Sequence, residues 1–100
     1  MTLIVKSLDA VAALGPGGAL MFDIPRSPIG MGVTFAGATS VFVNLEGTFD
    51  GVNWINLGTV FSTTGLVTSS NVPVIGIRAN LTEIDGGTSP SVTAWVSAKP

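Results

Sequence analysis

Val41-Phe42-Val43-Asn44-Leu45-Glu46-Gly47-Thr48-Phe49-Asp50-Gly51-Val52-Asn53-Trp54-Ile55-Asn56-Leu57-Gly58-Thr59-Val60 is the stretch whose reading decides the fold. Two runs rich in Val, Thr, Phe and Ile flank an Asp-Gly pair, which supplies the positive φ that a tight hairpin turn demands. The stretch predicts strands over 41–49 and 52–60, joined at Asp50-Gly51. A two-residue turn pairs Phe49 with Val52; a four-residue turn pairs Phe49 with Trp54. Either register assigns the same faces, because side chains alternate with a period of two. Val41, Val43, Leu45, Gly47, Phe49, Trp54 and Val60 share one face, expected to be the core. Phe42, Asn44, Glu46, Thr48, Ile55, Leu57 and Thr59 share the other, where Phe42, Ile55 and Leu57 are candidates for contact with a neighbour. A bulge after Trp54 would instead swing Leu57 inward.

The pattern extends in both directions. Turn signals recur at Gly15-Pro16-Gly17-Gly18, Pro25 to Pro28, Gly37-Ala38, Thr63-Thr64-Gly65, Ser69-Ser70-Asn71 and Asp85-Gly86-Gly87. Between them lie β-prone runs at 2–6, 19–24, 29–35, 40–49, 52–61, 72–82 and 91–98. Short strands at regular spacing predict an all-β fold, a single antiparallel β-sandwich, Ig-like or jelly-roll-like, of about seven to eight strands. Residues 7–14 are the one helical candidate, with Ser7 as N-cap and Gly15-Pro16 as stop. A second hairpin is expected late in the chain. Ile75, Ile77, Ala79 and Leu81 point inward on one strand, and Val92, Ala94 and Val96 on the returning one. Arg78, Thr93 and Trp95 then fall outside, with Trp95 either stacked under Arg78 or shielding the sheet edge. The polar connection over 83–90 is expected to project. No repeat or linker divides the 100 residues, so one domain is expected over 1–100.

Four basic and six acidic residues give a formal net charge of −2. Lys6, Arg26, Arg78 and Lys99 are scattered, and a phosphate backbone needs a cluster, so no nucleic-acid partner is expected. The chain has no Cys, His or Tyr. Those absences remove thiolate metal sites, catalytic triads and a histidine base. Asp50 and Asp85 each precede glycine, where turn formation explains them. We expect no enzyme activity, no catalytic pair, no metal and no cofactor. The uncharged stretch 51–77 is interrupted by Asn53, Asn56, Ser62, Asn71 and Pro73, so it does not predict a membrane span. The first residues place their apolar run before Lys6 and interrupt it at Asp9, the wrong order for a signal peptide. Asn80-Leu81-Thr82 is then a chance match to the glycosylation triplet.

The segment from Val43 to Leu57 resembles a hairpin, L-E-G-S-x-D-G-x-x-W-x-x-L, of small virion proteins of tailed bacteriophages. Thr48 stands where that pattern usually has Ser. Ile77-Arg78-Ala79-Asn80-Leu81-Thr82 with Gly86-Gly87-Thr88-Ser89-Pro90-Ser91-Val92-Thr93 is similar to their closing hairpin, and Gly15-Pro16-Gly17-Gly18-Ala19 also fits. The D-G-x-x-W element is shared with discoidin-like carbohydrate-binding sandwiches. The resemblance implies a β-sandwich without catalytic residues that decorates the head or belongs to the tail.

The leading expectation is a capsid decoration, or cement, protein on the head surface of the virion, made in the bacterial cytoplasm. Its expected partners are the major capsid protein and itself, as a homotrimer, with Phe42, Ile55, Leu57, Arg78 and Trp95 as candidate interface residues. The competing expectation is a tail or fibre module that binds host-surface carbohydrate, for which Trp54 and Trp95 are the aromatic platforms.

Overall fold

Alternating apolar and polar side chains sort the strands into two facing sheets. The structure, a computed structural model, describes residues 3–61 and 66–99. Thr2 and the expected turn at Thr63-Thr64-Gly65 lie outside the described residues. The strands are β1 (Ile4–Val11), β2 (Gly15–Pro16), β3 (Leu20–Arg26), β4 (Ile29–Ala36), β5 (Ser40–Thr48), β6 (Trp54–Phe61), β7 (Val67–Ser70), β8 (Val74–Asp85) and β9 (Ser91–Ala98). One sheet runs β1-β9-β4-β7 and the other β2-β8-β5-β6, with β3 following β2 along the same edge of β8. All pairings are antiparallel. The fold is the expected all-β sandwich, with nine strands among the described residues. The two additions are short: β2 and β7 lie where turns were expected.

The core is the layer between the sheets. Val41, Val43 and Leu45 of β5 and Ile77, Ala79 and Leu81 of β8 come from one side. Ile29, Met31 and Val33 of β4 and Val92, Ala94 and Val96 of β9 come from the other. All are buried, as the alternation predicts, but Ile75, expected inward with them, is only half-buried and lies outside the core.

Three expectations need correction. Residues 7–14 do not form a helix. Two isolated helical turns are marginal, whereas β1 pairs with β9 from Ile4↔Ser97 to Val11↔Val92. The register shifts between Lys6↔Trp95 and Leu8↔Ala94, leaving Ser7 as the extra residue. The bulge lets Ser7 and Leu8 both turn inward, where both are buried.

The second hairpin does not exist either, because β8 and β9 belong to opposite sheets. One edge of β8 is taken by β5 and the other by β2 and β3. β9 lies between β1 and β4. β8 continues to Asp85, so Glu83 and Ile84 are strand rather than loop. Gly86 and Gly87 then adopt positive φ of 69° and 78° and carry the chain across.

The third correction is register. Thr48 pairs with Trp54, leaving five residues in the turn rather than two or four. Phe49 is therefore lifted out of the sheet and stands 55% exposed. Trp54 falls on the outer face, not in the core. Further along, Glu46↔Asn56 is followed by Leu45↔Gly58. Leu57 is the bulged residue, and it packs against the core as the bulged alternative predicts.

Candidate functional site

The five-residue turn sets the site because one carboxylate organises it. Asp50 Oδ1 accepts from the amides of Val52 (2.8 Å) and Asn53 (2.7 Å), and Oδ2 accepts from Asn53 Nδ2 (2.6 Å). The Thr48 hydroxyl donates to Asp50 Oδ1 at 3.1 Å and accepts from the Gly51 amide at 2.9 Å. Gly51 takes φ of 82°, which the turn requires. These donors hold the Asp50 carboxyl well below the usual carboxylate range, with the Asn53 and Val52 amides as the largest causes. The turn is thus pinned from within, and it holds Phe49 and the 77% exposed Val52 out to solvent.

Met21 of β3 lies beside this turn, its Cε 3.9 Å from where a Cβ on Gly51 would stand. Met21 is exposed, and so are Ile24 farther along β3 and Ile55 near the start of β6. This end of the sandwich therefore presents apolar side chains on a hydrogen-bonded frame. Exposed apolar groups grouped in this way mark interaction surfaces.

The outer face of the β2-β8-β5-β6 sheet has different chemistry. Glu46 sits between Asn56 and Arg78, and Asn44 between Thr59 and Asn80. Arg78 Nε donates to Glu46 Oε1 at 2.8 Å, and Asn80 Nδ2 donates to Glu46 Oε2 at 3.0 Å. Thr59 Oγ1 donates to Asn44 Oδ1 at 2.8 Å and accepts from Asn56 Nδ2 at 3.3 Å. The Arg78 guanidinium lies 4.3 Å from the Trp54 ring centroid. The pair expected between Arg78 and Trp95 is thus made with Trp54, since Trp95 is in the other sheet. Phe42 closes the strip, edge-on to Phe61 with centroids 4.3 Å apart.

Trp95 lies on the outer face of β9, a central strand, so it shields no sheet edge. Lys6 Nζ stands 5.9 Å from its ring centroid. The candidate interface residues therefore do not form one surface. Phe42 and Arg78 share one outer face, and Trp95 occupies the opposite one. Ile55, paired with Gly47, is of the other parity from Phe42 and reaches solvent at the end, while Leu57 turns inward.

Near the expected loop, Glu83 has its carboxyl raised by the hydrogen bond that its protonated form donates to the Asp85 carboxylate and by that neighbour's charge. Among the described residues no group of three or more acidic side chains is placed to hold a metal ion.

Sequence reasoning missed Met21, Phe49, Val52 and the Glu46–Arg78 pair. The signals were present. Apolar residues on both sides of Asp-Gly are unusual for a solvated turn. Glu46 and Arg78 are opposite charges in mid-strand of a chain with few charges.

No known protein family matches the sequence, and no curated protein matches it. Among solved structures, the crystal structure of the SPBc2 prophage-derived protein YomS is similar, with a TM-score of 0.65. The match covers 96% of this chain and 91% of that chain at 9% sequence identity. At that identity the likeness is one of fold.

Proposed function

We propose that this chain is a structural protein of a tailed-phage particle, a head-decoration protein that binds the major capsid protein and closes into a homotrimer on the head surface. It is made in the bacterial cytoplasm and performs no catalysis. The observation that carries the reading is the apolar end, where Phe49 and Val52 are held exposed by the Asp50 turn beside Met21. A group that cannot fold away from water is stabilised by a partner, at about 25 cal/mol per Å² of apolar area covered. A standard contact takes about 800 Å² from each partner, roughly a sixth of this chain's 5108 Å². The fold likeness to a prophage-derived protein supports the same reading.

The test mixes purified protein with capsid shells that lack it, at low and high ionic strength. Binding is expected at both, since the contact is apolar and little of it is screened by salt. A protein that stays monomeric and leaves the shells bare at both salts refutes the proposal.

A second reading has its own observation. Trp54 lies on an outer face beside Asn44, Asn56, Thr59 and Asn80, a row of amides and hydroxyls next to an aromatic ring. That chemistry suits a carbohydrate on a tail or fibre module. Saturable binding of host-surface glycans, lost in Trp54→Ala without loss of folding, would favour it over head decoration.

A further inference from the structure

Arg26 is the last residue of β3, after the strand has left its regular pairing. Met21 opposes Gly76 and Arg26 opposes Val74, so four residues of β3 bulge over one of β8. The bulge opens a cavity of about 130 Å³ lined by Leu3, Met21, Phe22, Asp23 and Arg26. Arg26 Nε is buried and has no hydrogen-bond partner among the described residues. Its guanidinium stands 5.7 Å from the Phe22 ring centroid, a contact that gives the Nε–H no acceptor. A buried charged donor without an acceptor is a cost that proteins rarely leave in place.

We propose that this cavity is a socket for one acidic side chain of the protein partner. The inference rests on the contact reading above, and it adds the chemistry of the partner. Three features select the occupant. A guanidinium presents Nε and Nη as a planar fork that matches the two oxygens of a carboxylate. The walls supplied by Leu3, Met21 and Phe22 suit the methylene stem of a glutamate rather than a bare ion. The volume is well below the roughly 300–1,000 Å³ of sites for larger small molecules, so it admits a single side-chain head group. Asp23, exposed and also lining the cavity, opposes a second carboxylate, so occupancy depends on the pairing with Arg26. Met21 belongs both to this socket and to the apolar end, which makes the two one continuous docking surface.

The probe is N-acetylglutamate α-methylamide, titrated into the full chain while the Arg26 Nε–H resonance is followed by NMR. A saturable shift in the millimolar range is expected, as befits one side chain. The glutamine analogue should bind at least tenfold more weakly, and Arg26→Met should abolish the response. Arg26→Lys keeps the charge without the fork, and should also weaken binding at least tenfold; it serves if Arg26→Met does not fold. No shift with the glutamate probe, an equal shift with the glutamine analogue, or saturation by inorganic phosphate alone overturns the socket. Shell binding separates this from the broader reading. If wild type and a folded Arg26 variant coat shells equally, the socket fails and decoration stands. If the probe binds and no shell does, the socket's chemistry stands and decoration falls.

Discussion

The hydroxyl of Ser7, on β1, accepts the amide of Ala79, on β8, at 2.9 Å and so joins the two sheets of the sandwich. The same hydroxyl donates to the Gly18 carbonyl at 2.7 Å, and the Ser7 carbonyl accepts the Gly18 amide at 2.9 Å. Gly17, between them and β2, donates its amide to the Ala79 carbonyl. A Cβ on Gly17 would overlap the Ser7 backbone. One small hydroxyl thus satisfies two backbone groups at the point where the chain leaves one sheet for the other.

Ser7→Ala should accordingly cost more than a surface substitution. It leaves the Ala79 amide and the Gly18 carbonyl short of a partner, at about 1–3 kcal/mol. For a chain of this size a loss of ~2 kcal/mol lowers the melting temperature by roughly 8–16 °C. A thermal midpoint within about 2 °C of wild type would show that water replaces the hydroxyl without loss.

Trp54→Ala is expected to be mild. A fully buried tryptophan would cost about 3–5 kcal/mol, but Trp54 is half-buried on the outer face under Arg78. Loss of the cation–π contact, about 0.5–1 kcal/mol when exposed and more when desolvated, plus partial area, gives about 1–2 kcal/mol. Urea denaturation at unchanged slope measures it.

Those two residues also mark what was legible in the sequence. The strands with long alternation, β4, β5, β8 and β9, declare themselves, because period-two burial is written residue by residue. Which sheet each strand joins is not written there: Ile77, Ala79 and Leu81 alternate with Val92, Ala94 and Val96 in the same way whether they pair directly or face each other across the core. Trp54 was placed on the wrong face for a different reason. Asp50-Gly51 identifies a turn, but its length is set by what the Asp50 carboxylate accepts, and the amides of Val52 and Asn53 extend it to five residues. The Ser7 case is a local tendency overridden by pairing with β9. The Arg26 cavity depends on a bulge between β3 and β8, a tertiary event with no local signature.

Phe49→Ser with Val52→Ser should separate contact from folding. Both side chains are exposed, and surface changes of this kind usually stay within about 0.5 kcal/mol. The double variant should unfold like wild type yet coat shells at least tenfold less. Equal coating would remove the apolar end from the contact.

The Asp50 carboxyl makes stability depend on pH in a direction that can be worked out. Its folded-state pKa lies well below the ordinary aspartate value of about 3.9. The charged form is thus favoured by folding, so the contribution is complete above the unfolded value and is lost as pH falls from there toward the folded value. Glu83 acts in the opposite sense. Its carboxyl is raised by Asp85, so protonation relieves repulsion and favours the folded chain as pH falls through the raised value. Asp50→Asn removes the first effect and leaves the second. Asparagine offers one acceptor oxygen where the carboxylate offered two, so the amides of Val52 and Asn53 compete with the Thr48 hydroxyl for it. The variant should be less stable than wild type at neutral pH, and the gap should narrow steadily below about pH 4. Denaturant unfolding measured between pH 2 and pH 7 on both proteins tests this, with Glu83→Gln as the background that removes the opposing titration. Parallel curves across that range would mean that the turn amides do not hold the charge.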